Sequence, residues 1–386
     1  MTPARETPMN DRSGMRRKSF PGHMFAVLMS ALFMCTGLLL LPATAVQAKV
    51  SAGQIAIIVN RNDDASREIA DYYRHKRGIP QANIIEVSLP VRDAISEKTF
   101  RSVFAQVDKQ VSNDVQYYAL AWSRPFRAGC MSITSAFTFG YNELYCAQGC
   151  KPTRHSVYYN DDTATPYSEY GIRPSMMLAG GSVAQVKAMI DRGVASDASM
   201  PEATAYLMST SDRNRNVRSR RYPVIEAMLS DRIDIEIIHA DSLHDKHDVM
   251  FYFTGLKQVE GIDSNTFLPG AVADHLTSAG GRLFGGRQMS ILEWLDAGAT
   301  ASYGTVVEPC AFTQKFPNPG IVIERYTAGE SLVEAYWKSV AWPGQGVFVG
   351  ELMAAPYAGQ RLAKQDAEPL AAESPANENP ATENRD

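Results

Sequence analysis

The chain has 386 residues, of which 45% are hydrophobic and 21% are charged, and its formal net charge is −4. This composition excludes a disordered or strongly basic chain, and it provides enough apolar residues for one large domain or two smaller ones. A charge so close to neutral gives no reason to expect nucleic acid or an anionic membrane as a partner.

The N-terminus has the three parts of a secretory signal. A basic segment, MRRKSFPGH (15–23), precedes an apolar run (24–43), and AVQA (45–48) supplies the small residues of a cleavage site. We therefore predict a signal peptide over 1–48, cleavage after Ala48, and export to the periplasm or the cell exterior, with no membrane span in the mature chain. The apolar run is also long enough for an uncleaved anchor, which remains the alternative.

Strands and helices alternate after the signal. The continuous apolar run QIAIIVN (54–60) predicts a strand buried on both faces. A helix follows over 67–78, with Asp64 or Ser66 as its cap and Gly78 at its end. Three further elements are predicted next: a strand over 83–89, a helix over 97–112 and a strand over 115–122. This alternation predicts a parallel sheet with right-handed crossovers.

The segment 123–180 is a long, cysteine-containing insertion with few periodic runs, and such segments are usually functional or cross-linked. Regular elements resume after it. Helices are predicted over 182–193, after Pro223, over 267–278 from near Pro269, over 289–298 and over 329–341, and strands over 203–210, 233–240, 248–255, 299–307 and 346–350. The fold class is therefore α/β, a single domain over 49–363 with a mostly parallel central sheet flanked by helices. The tail 364–386 is rich in Pro, Glu, Asn and Ala and is predicted to be disordered.

The cysteines favour disulfide bonds. Removal of the signal takes away Cys35 and leaves Cys130, Cys146, Cys150 and Cys310. An even number of cysteines in an exported chain indicates disulfides, and the sequence leaves three connectivities open. Four thiols would also suit a zinc site, but the spacings match no common zinc motif, so we expect no metal and no cofactor.

Ligands of open parallel sheets bind beyond the carboxyl ends of the strands. The polar residues and the cysteine expected there are Asn60, Asn62, Arg124, Arg127, Thr254, Glu308 and Cys310. Arg124 and Arg127 can hold an anionic group. The alternative is that these arginines pair with Asp63 or Asp64 and brace the loops.

Cys310 follows a predicted strand and is a candidate nucleophile, but a cysteine hydrolase needs an imidazole to activate its thiol. The histidines His239, His244 and His247 precede the strand over 248–255, at the wrong end for such a site, and His75 and His275 fall on predicted helices. Ser278 is a second candidate nucleophile, with Glu308 or Asp263 assisting.

Long stretches of the chain resemble an uncharacterised family of exported bacterial proteins over about residues 52–358. They include VNRNDDASREIADYYRHKRGIPQANII (59–85), RAGCMSITSAFTFGYNELYCAQGC (127–150) and GATASYGTVVEPC (298–310). This resemblance implies export but no reaction.

A more distant resemblance is to gingipain-type cysteine peptidases, and it implies a caspase-like fold. It rests on SREIADYYRHKRGIP (66–80), followed by a strand, a helix and YYALAW (117–122). In that family a His-Gly pair follows one central strand, and the catalytic cysteine follows the next. Here FYFTG (251–255) places Thr254 at the histidine position, and Ser278–Gly281 replace the nucleophile loop. The resemblance therefore implies that the dyad is missing and that Cys310 lies one strand too late.

Two functions follow from these observations. The first is a non-catalytic binding or structural protein of the cell envelope on a caspase-like scaffold, with a partner that the sequence does not identify. It predicts that Cys310 is oxidised and bonded to a mid-chain cysteine. The second is a hydrolase that uses Cys310 or Ser278, and it predicts a free thiol at Cys310.

Overall fold

The computed structural model describes residues 50–147 and 150–358, so the predicted signal peptide and the predicted tail lie outside the described residues. The strands are β1 Ile55–Asn60, β2 Ile84–Val87, β3 Ala94–Ile95, β4 Tyr117–Leu120, β5 Arg127–Ala128, β6 Met131–Ser132, β7 Ser175–Met177, β8 Thr204–Met208, β9 Asp234–Ile238, β10 Val249–Thr254, β11 Phe267–His275, β12 Ala301–Thr305 and β13 Gly346–Gly350. The helices are α1 Asp64–Arg77, α2 Glu97–Asp108, α3 Ile133–Phe139, α4 Pro166–Tyr170, α5 Val183–Ser196, α6 Tyr222–Leu229, α7 Leu292–Asp296, α8 Pro319–Thr327 and α9 Leu332–Lys338.

The main sheet has ten strands in the order β2-β1-β4-β7-β13-β12-β11-β10-β8-β9, and β3, β5 and β6 form a small second sheet. Every residue of β1, β4, β8, β10 and β12 is buried, because helices cover both faces. This is why the strands appear in the sequence as continuous apolar runs rather than as alternating ones. The predicted α/β class with a mostly parallel sheet flanked by helices is confirmed.

Strand β13 joins the two halves of the sheet. It runs antiparallel to β12 along its whole length and meets β7 at one bridge, Val349–Met177. That single bridge has parallel geometry, but one bridge does not fix how β7 is directed relative to β11. The contacts of the helix that follows β7 do fix it. Helix α5 starts after β7, and its last residue, Ser196, lies against Gly270 near the start of β11. The carboxyl ends of β7 and β11 therefore share one edge, the carboxyl edge of the sheet.

The first helix illustrates how local sequence sets the element boundaries. The N-cap of α1 is Asp63, whose carboxylate accepts a hydrogen bond from the Ala65 amide. The observed cap therefore lies before both predicted positions, Asp64 and Ser66. The helix ends at Gly78, which adopts the left-handed conformation with φ 64°. Its buried residues, which include Ile69 and Tyr73, form the face that packs on the sheet.

The helix predicted over 267–278 was wrong, because Phe267–His275 form strand β11. A proline can begin a helix, but it is also tolerated at a strand irregularity, where no ladder hydrogen bond needs its missing N–H. Pro269 is exposed next to Gly270, which has φ 91°, and the pairing of β10 with β11 shifts register there. His275 consequently lies at the end of a central strand.

Candidate functional site

Arg124 and Phe284 meet above the carboxyl edge of the sheet. Arg124 follows β4 and Phe284 follows β11, and three strands, β7, β13 and β12, lie between these two in the sheet. The guanidinium carbon of Arg124 is 3.8 Å from the centre of the Phe284 ring, and its Nε donates to Asp93 at 2.7 Å. The predicted pairing of Arg124 with Asp63 or Asp64 is therefore replaced by pairing with Asp93. The stacked pair spans the middle of the edge and fixes the plane of a half-exposed guanidinium.

The other residues predicted at this end of the first strands hold the loops together. The buried Asn60 accepts a hydrogen bond from the Leu89 amide at 2.9 Å and donates to the Leu89 carbonyl at 3.1 Å. The exposed Asn62 donates to the same carbonyl at 3.2 Å. Arg127 lies half-buried in β5, where it pairs with β3. Asn60 therefore has its amide engaged within the protein, and of this group Arg124 is best placed to meet a ligand.

Cys310 forms a disulfide with Cys150, and Cys130 forms the second disulfide with Cys146. The disulfide prediction is confirmed, and the structure supplies the connectivity that the sequence left open. Glu308 is exposed, and its carboxylate accepts a hydrogen bond from the Cys310 amide at 2.8 Å. A disulfide sulfur has no thiolate, so Cys310 has no nucleophile to offer in this state.

A buried ion pair lies beneath the ends of β10 and β11. The Arg218 guanidinium contacts the Asp274 carboxylate at 2.6 Å and donates to the Thr254 carbonyl at 2.6 Å. Burial raises the pKa of the Asp274 carboxyl, and the positive charge of Arg218 opposes that rise. The Thr254 hydroxyl is fully buried and has no hydrogen-bond partner among the described residues. Thr254 thus lies inside the edge rather than on its surface.

His275 is engaged through both ring nitrogens. The Trp294 indole donates to Nδ1 at 2.9 Å, and Nε2 lies 3.1 Å from the Met289 carbonyl, so the ring is the neutral form with its proton on Nε2. Burial lowers the pKa of His275 to about 4. The ring therefore stabilises the turn after β11, and neither nitrogen is left to accept a proton from a nucleophile.

The structure does not bring the second candidate nucleophile together with Asp263. Ser278 follows the carboxyl end of β11, and Asp263 precedes its first residue, so β11 separates the two side chains. The Ser278 carbonyl accepts a hydrogen bond from the Thr305 hydroxyl at 3.1 Å, which ties the loop to β12. Among the described residues no histidine hydrogen-bonds to Ser278 or to Glu308.

Sequence reasoning missed five residues of this edge: Asp93, Phe284, Arg218, Asp274 and Lys315. Lys315 is fully buried, and its ammonium has no hydrogen-bond partner within the described part of the chain. No local pattern marks these residues, because Phe284 and Lys315 lie in segments without a clear period. Arg218 lies in a run of arginines that resembles a solvated surface.

Within residues 50–147 and 150–358, no three residues of the His, Cys, Asp and Glu types come together in a way that would hold a metal ion. None of the helices in these ranges is both long and apolar enough to cross a membrane.

Two solved structures are similar to this chain. The crystal structure of the Arg-specific cysteine proteinase gingipain R matches with a TM-score of 0.44 and 12% identity, and the match covers 80% of this chain and 79% of that chain. A structure described as a protease matches with a TM-score of 0.43 and 8% identity, with the same coverage. No protein-family model and no curated protein matches the chain. Membership of an exported bacterial family and loss of the peptidase dyad therefore stay predictions.

Proposed function

We propose that this protein is an exported, disulfide-braced binding protein of the cell envelope, which recognises an anionic group at the carboxyl edge without cysteine catalysis. The observation that carries this proposal is the state of Arg124. Its guanidinium is oriented by Asp93 and Phe284, and 37% of its side chain is exposed. No described residue accepts a hydrogen bond from either of its terminal nitrogens.

An oriented guanidinium with unused donors matches carboxylate and phosphate groups. These groups accept two parallel N–H bonds from arginine, and such charge-assisted bonds are stronger than neutral ones. Because Asp93 engages only Nε, the two Nη groups can serve a ligand. Holding the plane before binding lowers the entropy that binding costs.

The loops around Arg124 support an anionic ligand as well. They carry exposed cations after three strands of the sheet: Arg61, Arg92, Arg282 and Arg287. Three exposed carboxylates, Asp64, Asp93 and Glu308, also lie at this edge, and the arginines outnumber them although the chain as a whole has a net charge of −4. A local excess of one sign raises the local concentration of ligands of the opposite sign.

Export and the absence of cysteine catalysis rest on separate observations. The signal pattern over 1–48 and the two disulfides suit an oxidising compartment. The nucleophile predicted at Cys310 is consumed by its disulfide, and the buried His275 is held by Trp294 and Met289. A caspase-like scaffold without these two groups can bind a ligand but lacks the usual pair for acyl transfer.

The test measures binding of the mature protein to immobilised poly-L-glutamate and polyphosphate by biolayer interferometry at low and physiological salt. The two polymers separate a carboxylate from a phosphate preference. We expect Arg124→Gln to weaken binding to the preferred polymer about 10- to 100-fold, the value of about one charge-assisted hydrogen bond.

Lys246→Gln is the matched control. It also removes one positive charge, but Lys246 precedes β10 at the opposite edge of the sheet and pairs with Glu236. We expect this variant to bind within twofold of the wild type. Equal losses in both variants, or no binding to either polymer by the wild type, would contradict the proposal.

A further inference from the structure

Lys315 lies inside the segment that leads from β12 to α8. Its carbonyl accepts a hydrogen bond from the Tyr303 hydroxyl at 2.5 Å, and its amide donates to the Phe312 carbonyl at 3.1 Å. The side chain has no exposed surface, and its Nζ has no hydrogen-bond partner in the described residues. A buried ammonium without a partner is costly, so the environment favours the neutral amine.

One aromatic ring lies close to Nζ, with the centre of the Phe312 ring 5.0 Å away. Burial lowers the pKa of the Lys315 amine to about 8, and the negative charge of Glu308 partly offsets this effect. At pH 7.5 roughly a quarter of the amine is then uncharged, and the uncharged amine is the nucleophilic form.

A second buried polar atom without a partner lies next to this segment. Gln345 is fully buried and donates through Nε2 to the Glu308 carbonyl at 2.7 Å, while its Oε1 has no partner in the described part of the chain. The Tyr303 hydroxyl lies near both Lys315 and Gln345. It donates to the Lys315 carbonyl, and it is so close to Gly346, the residue after Gln345, that a Cβ atom added there would clash with it. Two buried polar atoms of this region, the Lys315 amine and the Gln345 amide oxygen, thus have no hydrogen-bond partner in the described part of the chain.

The segment that contains Lys315, from β12 to α8, is held in place at several points. The Cys150–Cys310 disulfide anchors its start, and the Trp342 amide donates to the Gln314 carbonyl at 2.8 Å. The rings of Phe312 and Trp342 also pack, with centres 5.6 Å apart. Because these contacts hold the segment, a carbonyl compound reaches the amine only when the segment opens locally, and we expect small molecules to enter more readily than large ones.

We propose that Lys315 is a nucleophilic amine that condenses with small aldehydes or ketones. The Nζ lone pair forms a bond to the carbonyl carbon and gives a carbinolamine. The carbonyl oxygen then leaves with the two amine protons as water, and a C=N bond remains. The step needs no oxidant or reductant. It is independent of the anion site at Arg124.

The experiment treats the native, disulfide-intact protein with glycolaldehyde and cyanoborohydride at pH 7.5, and peptide mass spectrometry then locates the reduced adducts. The exposed Lys98 serves as an internal reference. We expect the Lys315 adduct to form at least ten times faster than the Lys98 adduct. With pyridoxal 5′-phosphate, a bulky aldehyde, we expect that preference to disappear.

Two variants complete the test. Lys315→Met keeps the length of the buried chain and removes the amine, so it should fold and lose the fast adduct. Arg124→Gln should label like the wild type, which separates this inference from the anion-binding proposal. A Lys315 adduct that forms no faster than the Lys98 adduct with glycolaldehyde would overturn the inference.

Discussion

The guanidinium of Arg124 stacks on the ring of Phe284, 160 residues further along the chain, at 3.8 Å from its centre. This contact joins the loop after β4 to the loop after β11 and crosses the ends of three strands. It converts two separate loops into one surface at the carboxyl edge. The contact also explains how a half-exposed arginine keeps a fixed orientation in the absence of ligand.

Loss of the Phe284 ring should remove the fixed orientation of the Arg124 guanidinium but leave its charge. We expect Phe284→Ala to weaken binding to the preferred polymer about two- to fivefold, since an exposed cation–π contact contributes about 0.5–1 kcal/mol. Added to Arg124→Gln, the same change should have little further effect. Biolayer interferometry of the two single variants and the double variant measures this coupling. Fully additive losses would show that the stacking does not orient the guanidinium.

Breaking the buried pair of Arg218 and Asp274 should destabilise the fold. We expect Arg218→Met to lower the free energy of unfolding by about 3–5 kcal/mol, because Asp274 is then left buried without its cation. Replacing both residues with apolar ones should cost less than the sum of the single changes. Urea unfolding measures each value. Arg101→Ala, which breaks an exposed pair with Glu97, is the control and should cost less than 1 kcal/mol.

The two disulfides should differ in their contribution to stability. The chain-entropy model gives about 5 kcal/mol for Cys150–Cys310, whose cysteines are 160 residues apart, and about 3 kcal/mol for Cys130–Cys146, which are 16 apart. Urea unfolding of the two double-alanine variants checks this order. Alkylation of the native, unreduced protein by iodoacetamide is a separate check. Full alkylation of Cys310 would refute the pairing and favour the hydrolase alternative.

His275 should make the fold sensitive to acid. Its pKa is about 4 in the folded protein, below the ordinary value of about 6.5, so the unfolded chain takes up the proton first as the pH falls. Stability is therefore fully present above pH 6.5 and is lost towards pH 4, by up to about 3 kcal/mol.

The variant His275→Gln isolates this effect, because glutamine can donate to the Met289 carbonyl and does not titrate. We expect the stability gap between wild type and variant, from urea unfolding, to shrink between pH 7 and pH 4.5. A gap of the same size at both pH values would mean that His275 is not held neutral.

Several parts of the fold could be predicted because local sequence decides them. The apolar run of β1, the cap and glycine end of α1, and the apolar strand β10 are set by burial and by backbone preference. Strand β11 could not be predicted in the same way, because Pro269 suits either a helix start or a strand irregularity. Its pairing with β10, a long-range contact, resolves the ambiguity. Helix α8 was likewise missed, although Asn318 caps it and Pro319 begins it.

The candidate site shows the same division. Arg124 and Cys310 were found from the sequence because residues after strands of a parallel sheet collect at one edge. Phe284, Asp93 and Lys315 were not found, since their roles depend on loops that meet only when the chain is folded. The sequence by itself determined that strands and helices alternate and that four cysteines follow the predicted signal peptide, because hydrophobic periodicity and composition are local properties. Only the tertiary structure decided that Cys310 bonds to Cys150, that His275 is locked in a strand, and that Arg124 stays oriented, because pairing, burial and stacking require contacts between distant residues.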